Sequence, residues 1–238
     1  MHSLWWEAIR KLKELELFAG TCCLSDGFKK NGHDVFTVDI DEKFDVDWYA
    51  DVSKITTSDI IERFGVPDVL WAGTPCESYS VAAISRHRKK NSENGSLDPI
   101  SEHARFCDEM NKHLLKIIDE LLEINPNMIW FIENPVGALR KMDFMQRLPR
   151  YTITYCTYMR KEPWETRRMK KTDIWTNHPN PKFKEPCKNG CEYHPPCPRG
   201  SNKYGSQALK SSVERSMYPK ELIEHIVDIC EEELNIGN

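Results

Sequence analysis

Short apolar segments with strand character alternate along this chain with segments of helical periodicity. The strand-like segments are Leu15–Phe18, Val35–Ile40, Val66–Ala72 and Met128–Ile132. Apolar residues at helical spacing fall between them, at Ser58–Phe64 and Ala104–Ile124. Because strands that are separated by helices pair in parallel, the alternation predicts an α/β fold with a mostly parallel central sheet.

The remaining segments are less regular. A helix is expected over residues 2–14, a strand over Tyr151–Tyr158 that pairs with Asp173–Thr176, and a closing helix over Glu221–Leu234. Residues 84–103 are polar and rich in turn formers, which is typical of a long mobile loop.

Length and composition limit the size of the fold and the cellular compartment in which we expect the protein. A chain of 238 residues with 39% hydrophobic residues can form one large α/β domain, with or without a small appendage. No apolar stretch approaches the ~20 residues of a membrane span, and no secretory signal opens the chain. Nine cysteines, an odd number, favour a reduced setting in which thiols act as nucleophiles or metal ligands. We therefore expect a cytoplasmic protein with no membrane partner.

Basic residues are clustered although the net charge is −4. Arg86, Arg88, Lys89 and Lys90 lie in the run RHRKK, and ten Lys/Arg oppose three Asp/Glu between Arg140 and Lys171. Such clusters on an acidic protein fit a nucleic-acid partner. A solvated helix face would explain either run equally well.

Cys76 follows a buried strand in the stretch GTPCESYS. The carboxyl ends of the strands are where an open α/β sheet binds its ligands, so this thiol is a candidate nucleophile. A basic neighbour would help, since a free thiol of pKa ~8.5 is only a few per cent thiolate at pH 7. The alternative is a buried and inert cysteine in a turn.

Glu133 ends the next strand-like segment, in the stretch IENP. A thiol and a carboxyl at neighbouring strand ends form a plausible nucleophile and proton-handling pair. The alternative for Glu133 is a strand-terminal carboxylate or a helix cap.

Two further strand ends indicate a nucleotide-like cofactor. The first delivers Phe18, Ala19 and Gly20 into a tight turn, and the second delivers Asp39. A glycine turn permits close approach of the backbone to a ligand, and an acid at the second strand end binds ribose hydroxyls. Asp51 follows at a distance suited to an adenine contact.

The ordered series LFAG, SDGF, VDID, ADVS, GTPCESYS and IENP resembles the motifs of the cytosine-5 DNA methyltransferases, above all the short members found in phages and prophages. The resemblance implies a Rossmann-like fold that binds S-adenosylmethionine. It also implies that Cys76 is the nucleophile that attacks carbon 6 of cytosine, and that Glu133 holds nitrogen 3 and the exocyclic amine. Arg168 or Lys171 would help to fix the target base. The cofactor positions would be Phe18, Ala19, Gly20, Cys22, Asp39, Ile40, Asp51, Val52 and Thr74.

The chain departs from the family pattern at the cofactor turn. Cys22 and Cys23 stand where the family has a pair of glycines, and Ile40 stands where the family often has a tryptophan. We predict a catalytic and cofactor-binding core over residues 1–175, a short target-recognition candidate over 176–210, and a C-terminal helix over 211–238 that returns to the core.

The segment PCKNGCEYHPPCPRG carries four soft ligands. Cys187, Cys191, His194 and Cys197 are suited to one structural zinc ion, which would fold a segment too small to have a core. The alternative is a cysteine-rich loop without metal.

Three functions remain open at this point. The first is a monomeric enzyme that methylates double-stranded DNA on a flipped-out cytosine, with Arg86, Arg88, Lys89 and Lys90 against phosphates. The second is an RNA cytosine-5 methyltransferase, since the family includes tRNA-methylating members. The third is a catalytically silent relative that binds DNA.

Overall fold

The computed structural model describes residues 10–93, 95–188, 191–195 and 211–235. The strands of these residues are β1 (Lys13–Leu17), β2 (Asp34–Asp39), β3 (Trp48–Tyr49), β4 (Val69–Gly73), β5 (Arg88–Lys90), β6 (Leu97–Pro99), β7 (Ile129–Pro135), β8 (Arg150–Thr154) and β9 (Lys171–Thr176). The α-helices are α1 (Cys23–Lys30), α2 (Thr57–Arg63), α3 (Ile84–His87), α4 (Glu102–Ile124), α5 (Asp143–Gln146), α6 (Ser212–Ser216) and α7 (Lys220–Asn235).

Seven strands form one sheet in the order β3-β2-β1-β4-β7-β9-β8. The first five are parallel, whereas β9 runs antiparallel to both β7 and β8. The chain builds outwards from β1 in one direction through β2 and β3, and in the other through β4 and β7. Ligands bind at such a switch point, outside the carboxyl ends of the central strands.

Helices cover both faces of the sheet. In β4, Val69 and Trp71 pack on one side in a cluster with Phe28 of α1 and Ile226 of α7. Leu70 and Ala72 face the other side, in a cluster with residues of α2 and α4 such as Ile60 and Leu114. Burial on both faces explains why these strands are continuous apolar runs rather than alternating ones. The predicted α/β fold is therefore confirmed, and α7 packs against this sheet through Leu222, Ile226 and Cys230.

The structure corrects three sequence-based expectations. The helix expected over residues 2–14 is wrong for Lys13 and Glu14, which lie in β1, and residues 2–9 lie outside the described residues. The strand expected over Tyr151–Tyr158 ends at Thr154 and continues as a 3-10 turn, although its pairing with β9 is confirmed.

The third correction concerns residues 84–103. The segment contains α3 and an antiparallel hairpin of β5 with β6, and it leads directly into α4.

Among the described helices, none combines the length and the apolar character that a membrane crossing requires.

Candidate active site

Cys76 and Glu133 lie at the same edge of the sheet because β4 and β7 are parallel neighbours. Gly73 is in register with Glu133. Thr74 and Pro75 then lead to Cys76, which begins the 3-10 turn Glu77–Tyr79. This is the juxtaposition that the sequence predicts, and it depends only on the order and direction of two strands.

Hydrogen bonds from a side chain and from the backbone hold the segments after β4 and β7 together. Asn134 Nδ2 donates to the carbonyl and to the hydroxyl of Thr74, at 3.0 and 3.1 Å. The Ala138 amide donates to the Tyr79 carbonyl at 2.8 Å. Gly137 is required here, since a Cβ atom on it would lie 2.3 Å from that carbonyl oxygen. The buried Thr74 side chain therefore supports the loop, and its predicted contact with the cofactor stays a prediction.

The Cys76 thiol is not activated in the free protein. Burial raises its pKa to about 11, and the negative charges of Glu77 and Glu133 act in the same direction. Lys170 opposes them without prevailing. A basic neighbour is present as expected, but desolvation outweighs it and the thiol stays protonated at neutral pH.

Glu133 is only 5% exposed and has two polar partners. The Tyr155 hydroxyl donates to its Oε1 at 3.4 Å, and Lys170 Nζ lies 3.7 Å from the same oxygen. Lys170 Nζ also donates to the Tyr155 hydroxyl, at 3.2 Å. Burial raises the pKa of Glu133 above its usual value, although Lys170 and Tyr155 lower it in part. A carboxyl with a raised pKa is suited to carry and donate a proton.

The cation beside Glu133 belongs to Lys170, one residue before the predicted Lys171. Lys171 is exposed, whereas Lys170 is 7% exposed. Side chains alternate sides along an extended chain, which places Arg168 and Lys170 together. Both lie over the Tyr155 ring, at 5.6 and 4.7 Å from its centre. The alternation of Arg168 and Lys170 is visible in the sequence. Their shared partner Tyr155 is not, because its position depends on how β8 and β9 pair.

Arg168 joins the site to the C-terminal region. Its Nη2 donates to the Met217 carbonyl at 3.1 Å, and its Nε is buried without a hydrogen-bond partner among the described residues. Burial lowers the pKa of Arg168. An unpaired buried donor beside Tyr155 has the chemistry to bind an oxygen of a ligand.

The turn after β1 has the geometry of a cofactor cradle. Phe18, Gly20 and Cys22 have positive φ angles of 58°, 50° and 54°. The Asp39 carboxylate accepts hydrogen bonds from the Gly20 and Asp41 amides, both at 2.8 Å. A carboxylate has about four acceptor positions, so Asp39 can still bind a pair of hydroxyls. Cys22 occupies a left-handed conformation that favours glycine.

An apolar surface adjoins Asp39. Ile40, directly after β2, is 66% exposed, which is unusual for a large aliphatic side chain at a strand end. Asp51 accepts hydrogen bonds from the Ser53 amide and hydroxyl and forms an ion pair with Lys54 at 3.2 Å. Val52 is 3% exposed and packs in the core, so only its backbone is available to a ligand. A carboxylate beside an exposed apolar side chain fits a nucleoside.

Comparison with known proteins identifies the family. The family model of the C-5 cytosine-specific DNA methylase matches residues 12–143, more than half of the chain. This chain belongs to the C-5 cytosine-specific DNA methylase family. No curated protein matches it significantly.

Two solved methyltransferase structures are remotely similar to this member of the family. EhMeth of Entamoeba histolytica has 14% identity and a TM-score of 0.46, with coverage of 75% of this chain and 56% of that one. A mutant DNMT2 of Spodoptera frugiperda has 15% identity and a TM-score of 0.44, with coverage of 78% and 57%. The chain therefore spans a little over half the length of either protein.

The basic run of this methylase family member is divided between surface and core. Arg86, Lys89 and Lys90 are exposed, as a nucleic-acid contact requires. Arg88 is not: its guanidinium pairs with Asp108 at 2.7 Å and lies 4.3 Å from the centre of the Tyr79 ring. The prediction that Arg88 contacts DNA is wrong for this reason, since its charge is already neutralised in the core.

Three of the four predicted metal ligands are brought together, with a cysteine that was not predicted beside them. Cys187, Cys191 and His194 lie beside Cys156, and the four ligand atoms are all within 4.8 Å of one another. Cys197 lies outside the described residues. No sequence pattern points to Cys156, because it precedes Cys187 by 31 positions in a segment interpreted as a strand.

Proposed function

We propose that this protein transfers a methyl group from S-adenosylmethionine to carbon 5 of cytosine in double-stranded DNA. The observation that carries the proposal is the pairing of Cys76 with Glu133 at the ends of adjacent parallel strands. Family membership supports the same chemistry.

In the proposed reaction, the Cys76 thiol releases its proton to solvent and its sulfur forms a bond to carbon 6 of the target cytosine. The π bond between carbons 5 and 6 breaks, and its electron pair shifts into the ring as nitrogen 3 takes up a proton, which leaves an enamine that is nucleophilic at carbon 5. Glu133 donates its proton to nitrogen 3, and its raised pKa favours the protonated carboxyl that this step needs. After methyl transfer, loss of the carbon 5 proton and of the Cys76 sulfur restores the aromatic ring.

In this proposal, Lys170 and Tyr155 position Glu133, and Arg168 contacts the base. Lys170 and Tyr155 fix the Glu133 carboxyl through contacts of 3.7 and 3.4 Å. Arg168 presents its unpaired Nε as a donor for the cytosine carbonyl oxygen. Lys171 has no part in it, since its side chain is exposed.

The cofactor would lie along the carboxyl ends of β1 and β2. Asp39 would bind the ribose hydroxyls, Ile40 would cover the adenine, and Asp51 would accept from its amine. S-adenosylmethionine supplies the activated methyl group in this chemistry. The backbone of Phe18, Gly20 and Cys22 would border its amino-acid part.

A cytosine inside a duplex is out of reach of Cys76, so the base must be flipped out. Arg86, Lys89 and Lys90 are exposed beside the loop that follows Cys76 and would hold phosphates. We expect the protein to act as a monomer.

The test is transfer of labelled methyl groups to duplex DNA, with RNA of the same sequence in parallel. Cys76→Ser should abolish transfer while cofactor binding stays within a few-fold. Glu133→Gln should also abolish it, and Glu77→Gln is the matched control, because that exposed carboxyl lies beside the same thiol.

Each alternative has its own signature in this assay. Label on RNA alone would replace DNA as the substrate. Cofactor binding without transfer to either nucleic acid would indicate a silent DNA-binding relative. Full activity of Cys76→Ser would contradict the covalent mechanism.

A further inference from the structure

A cluster of three thiols and one imidazole lies where the irregular C-terminal segment meets the sheet. We define the Cys3His cluster as Cys156, Cys187, Cys191 and His194. Cys156, Cys187 and His194 are buried, and Cys191 is half-buried. Four such groups lie close together although residues 177–188 and 191–195, the described part of this segment, contain no strand or helix, and this arrangement requires a physical reason.

His194 has the tautomer of a metal ligand. Its Nδ1 lies 2.9 Å from the Pro195 carbonyl, which only accepts, so Nδ1 must carry the proton. The lone pair is then on Nε2, which is buried and has no hydrogen-bond partner among the described residues. A backbone carbonyl on one ring nitrogen commonly orients the other toward a metal ion.

The sulfur atoms are also closer than isolated thiols need to be. Cys156 Sγ lies 3.1 Å from Cys187 Sγ. One zinc ion with Zn–S bonds of about 2.3 Å places its ligand atoms about 3.8 Å apart in a tetrahedron, which agrees with the 4.8 Å limit of the cluster. A disulfide between Cys156 and Cys187 would leave Cys191 and the lone pair of His194 without a partner.

We propose that the Cys3His cluster binds one structural zinc ion, with Cys156, in the 3-10 turn after β8, as its fourth ligand. The ion would attach residues 187–194 to the turn that follows β8. Three sulfurs and one nitrogen in a closed tetrahedral arrangement are typical of structural zinc and leave no position for a substrate.

The polypeptide around the cluster is already arranged for this attachment. The Cys187 amide donates to the Thr154 hydroxyl at 2.8 Å, and the Lys184 amide donates to the Tyr158 hydroxyl at 2.7 Å. Cys156 directly follows Tyr155, the partner of Glu133. Zinc would thus hold the segment against the same turn that supports the candidate active site. The inference stands without the proposed methyl transfer, because its evidence is the ligand geometry alone.

The test is the metal content of the untagged full chain, purified without chelator from zinc-supplemented medium and dialysed exhaustively. We expect about one zinc per chain, released when the thiols are modified. Cys156→Ser and Cys191→Ser should each lose most of the zinc. Cys197→Ser is the matched control and should retain it, which separates this ligand set from the one that the sequence suggested.

A wild-type protein without zinc would overturn the proposal, as would a Cys156→Ser protein that keeps a full equivalent. An intact mass lower by two hydrogens, without metal, would establish a disulfide instead. If Cys156→Ser does not fold, cobalt exchange into the wild-type protein decides the matter. Intense visible bands with sulfur-to-cobalt charge transfer support a tetrahedral thiolate site, and a weak octahedral spectrum contradicts it.

Discussion

Removal of the Arg88 guanidinium should destabilise the whole protein, although Arg88 lies in a run that looks like a nucleic-acid contact. Its side chain is 0% exposed. The two Nη atoms donate to the two oxygens of Asp108 at 3.0 and 2.7 Å, and Nε donates to the Ser78 carbonyl at 3.0 Å. Arg88 therefore connects β5 to α4 and to the turn that begins at Cys76.

The magnitude follows from what Arg88→Ala leaves behind. Asp108 would keep the Tyr79 hydroxyl as a donor at 2.7 Å but would lose its only ion-pair partner among the described residues. Removing one partner of a buried ion pair costs about 3–5 kcal/mol, because the remaining charge is left uncompensated. That is a large part of the 5–15 kcal/mol by which a typical domain is stable.

Urea unfolding followed by tryptophan fluorescence measures this loss, since the chain has seven tryptophans. Arg86→Ala is the matched control, because it removes the same side chain two residues away from an exposed position. It should change the free energy of unfolding by less than about 0.5 kcal/mol and instead weaken salt-dependent nucleic-acid binding. A loss below about 1 kcal/mol in Arg88→Ala would refute the reasoning.

Three further outcomes follow from local structure. Cys22→Gly should raise the free energy of unfolding by up to about 1 kcal/mol in the same assay, because residue 22 has a φ of 54°. Burial raises the pKa of Glu16 to about 7. Its folded form thus binds a proton more tightly than its unfolded form, so stability should fall as the pH rises from about 4.5 to about 7, and Glu16→Gln should reduce that fall. Lys170→Met should slow methyl transfer at least about tenfold, since the loss of one positive charge raises the pKa of Cys76 further; equal rates for Lys170→Met and Lys171→Met would contradict this.

The part of the site that the sequence predicts is the part set by local order along the chain. Cys76 and Glu133 each follow an apolar run. Because the carboxyl ends of parallel strands lie at one edge of the sheet, the two residues are predicted to be close if their strands are neighbours. Gly20 and Asp39 are predictable for the same reason. All four residues lie at the ends of strands that the sequence shows as short apolar runs.

The remaining partners depend on tertiary contacts that no local pattern encodes. Tyr155 reaches Glu133 only because β9 inserts antiparallel between β7 and β8. Arg88 is buried because Asp108 of α4 faces it, although Arg86, Lys89 and Lys90 of the same run are exposed. Cys156 joins three ligands at least 31 positions away because the segment folds back on the turn after β8.

The high pKa of Cys76 is compatible with a nucleophilic role because two of its three causes involve charge. Burial is the largest cause, and Glu77 and Glu133 add to it. When Glu133 holds a proton, its negative charge disappears and the Lys170 ammonium beside it is no longer offset. The protonated carboxyl that the proposed reaction requires is therefore the state of Glu133 in which the thiol ionises most readily. In the proposed mechanism, one proton on Glu133 would both activate the base and favour the Cys76 thiolate, and a bound substrate would stabilise that state.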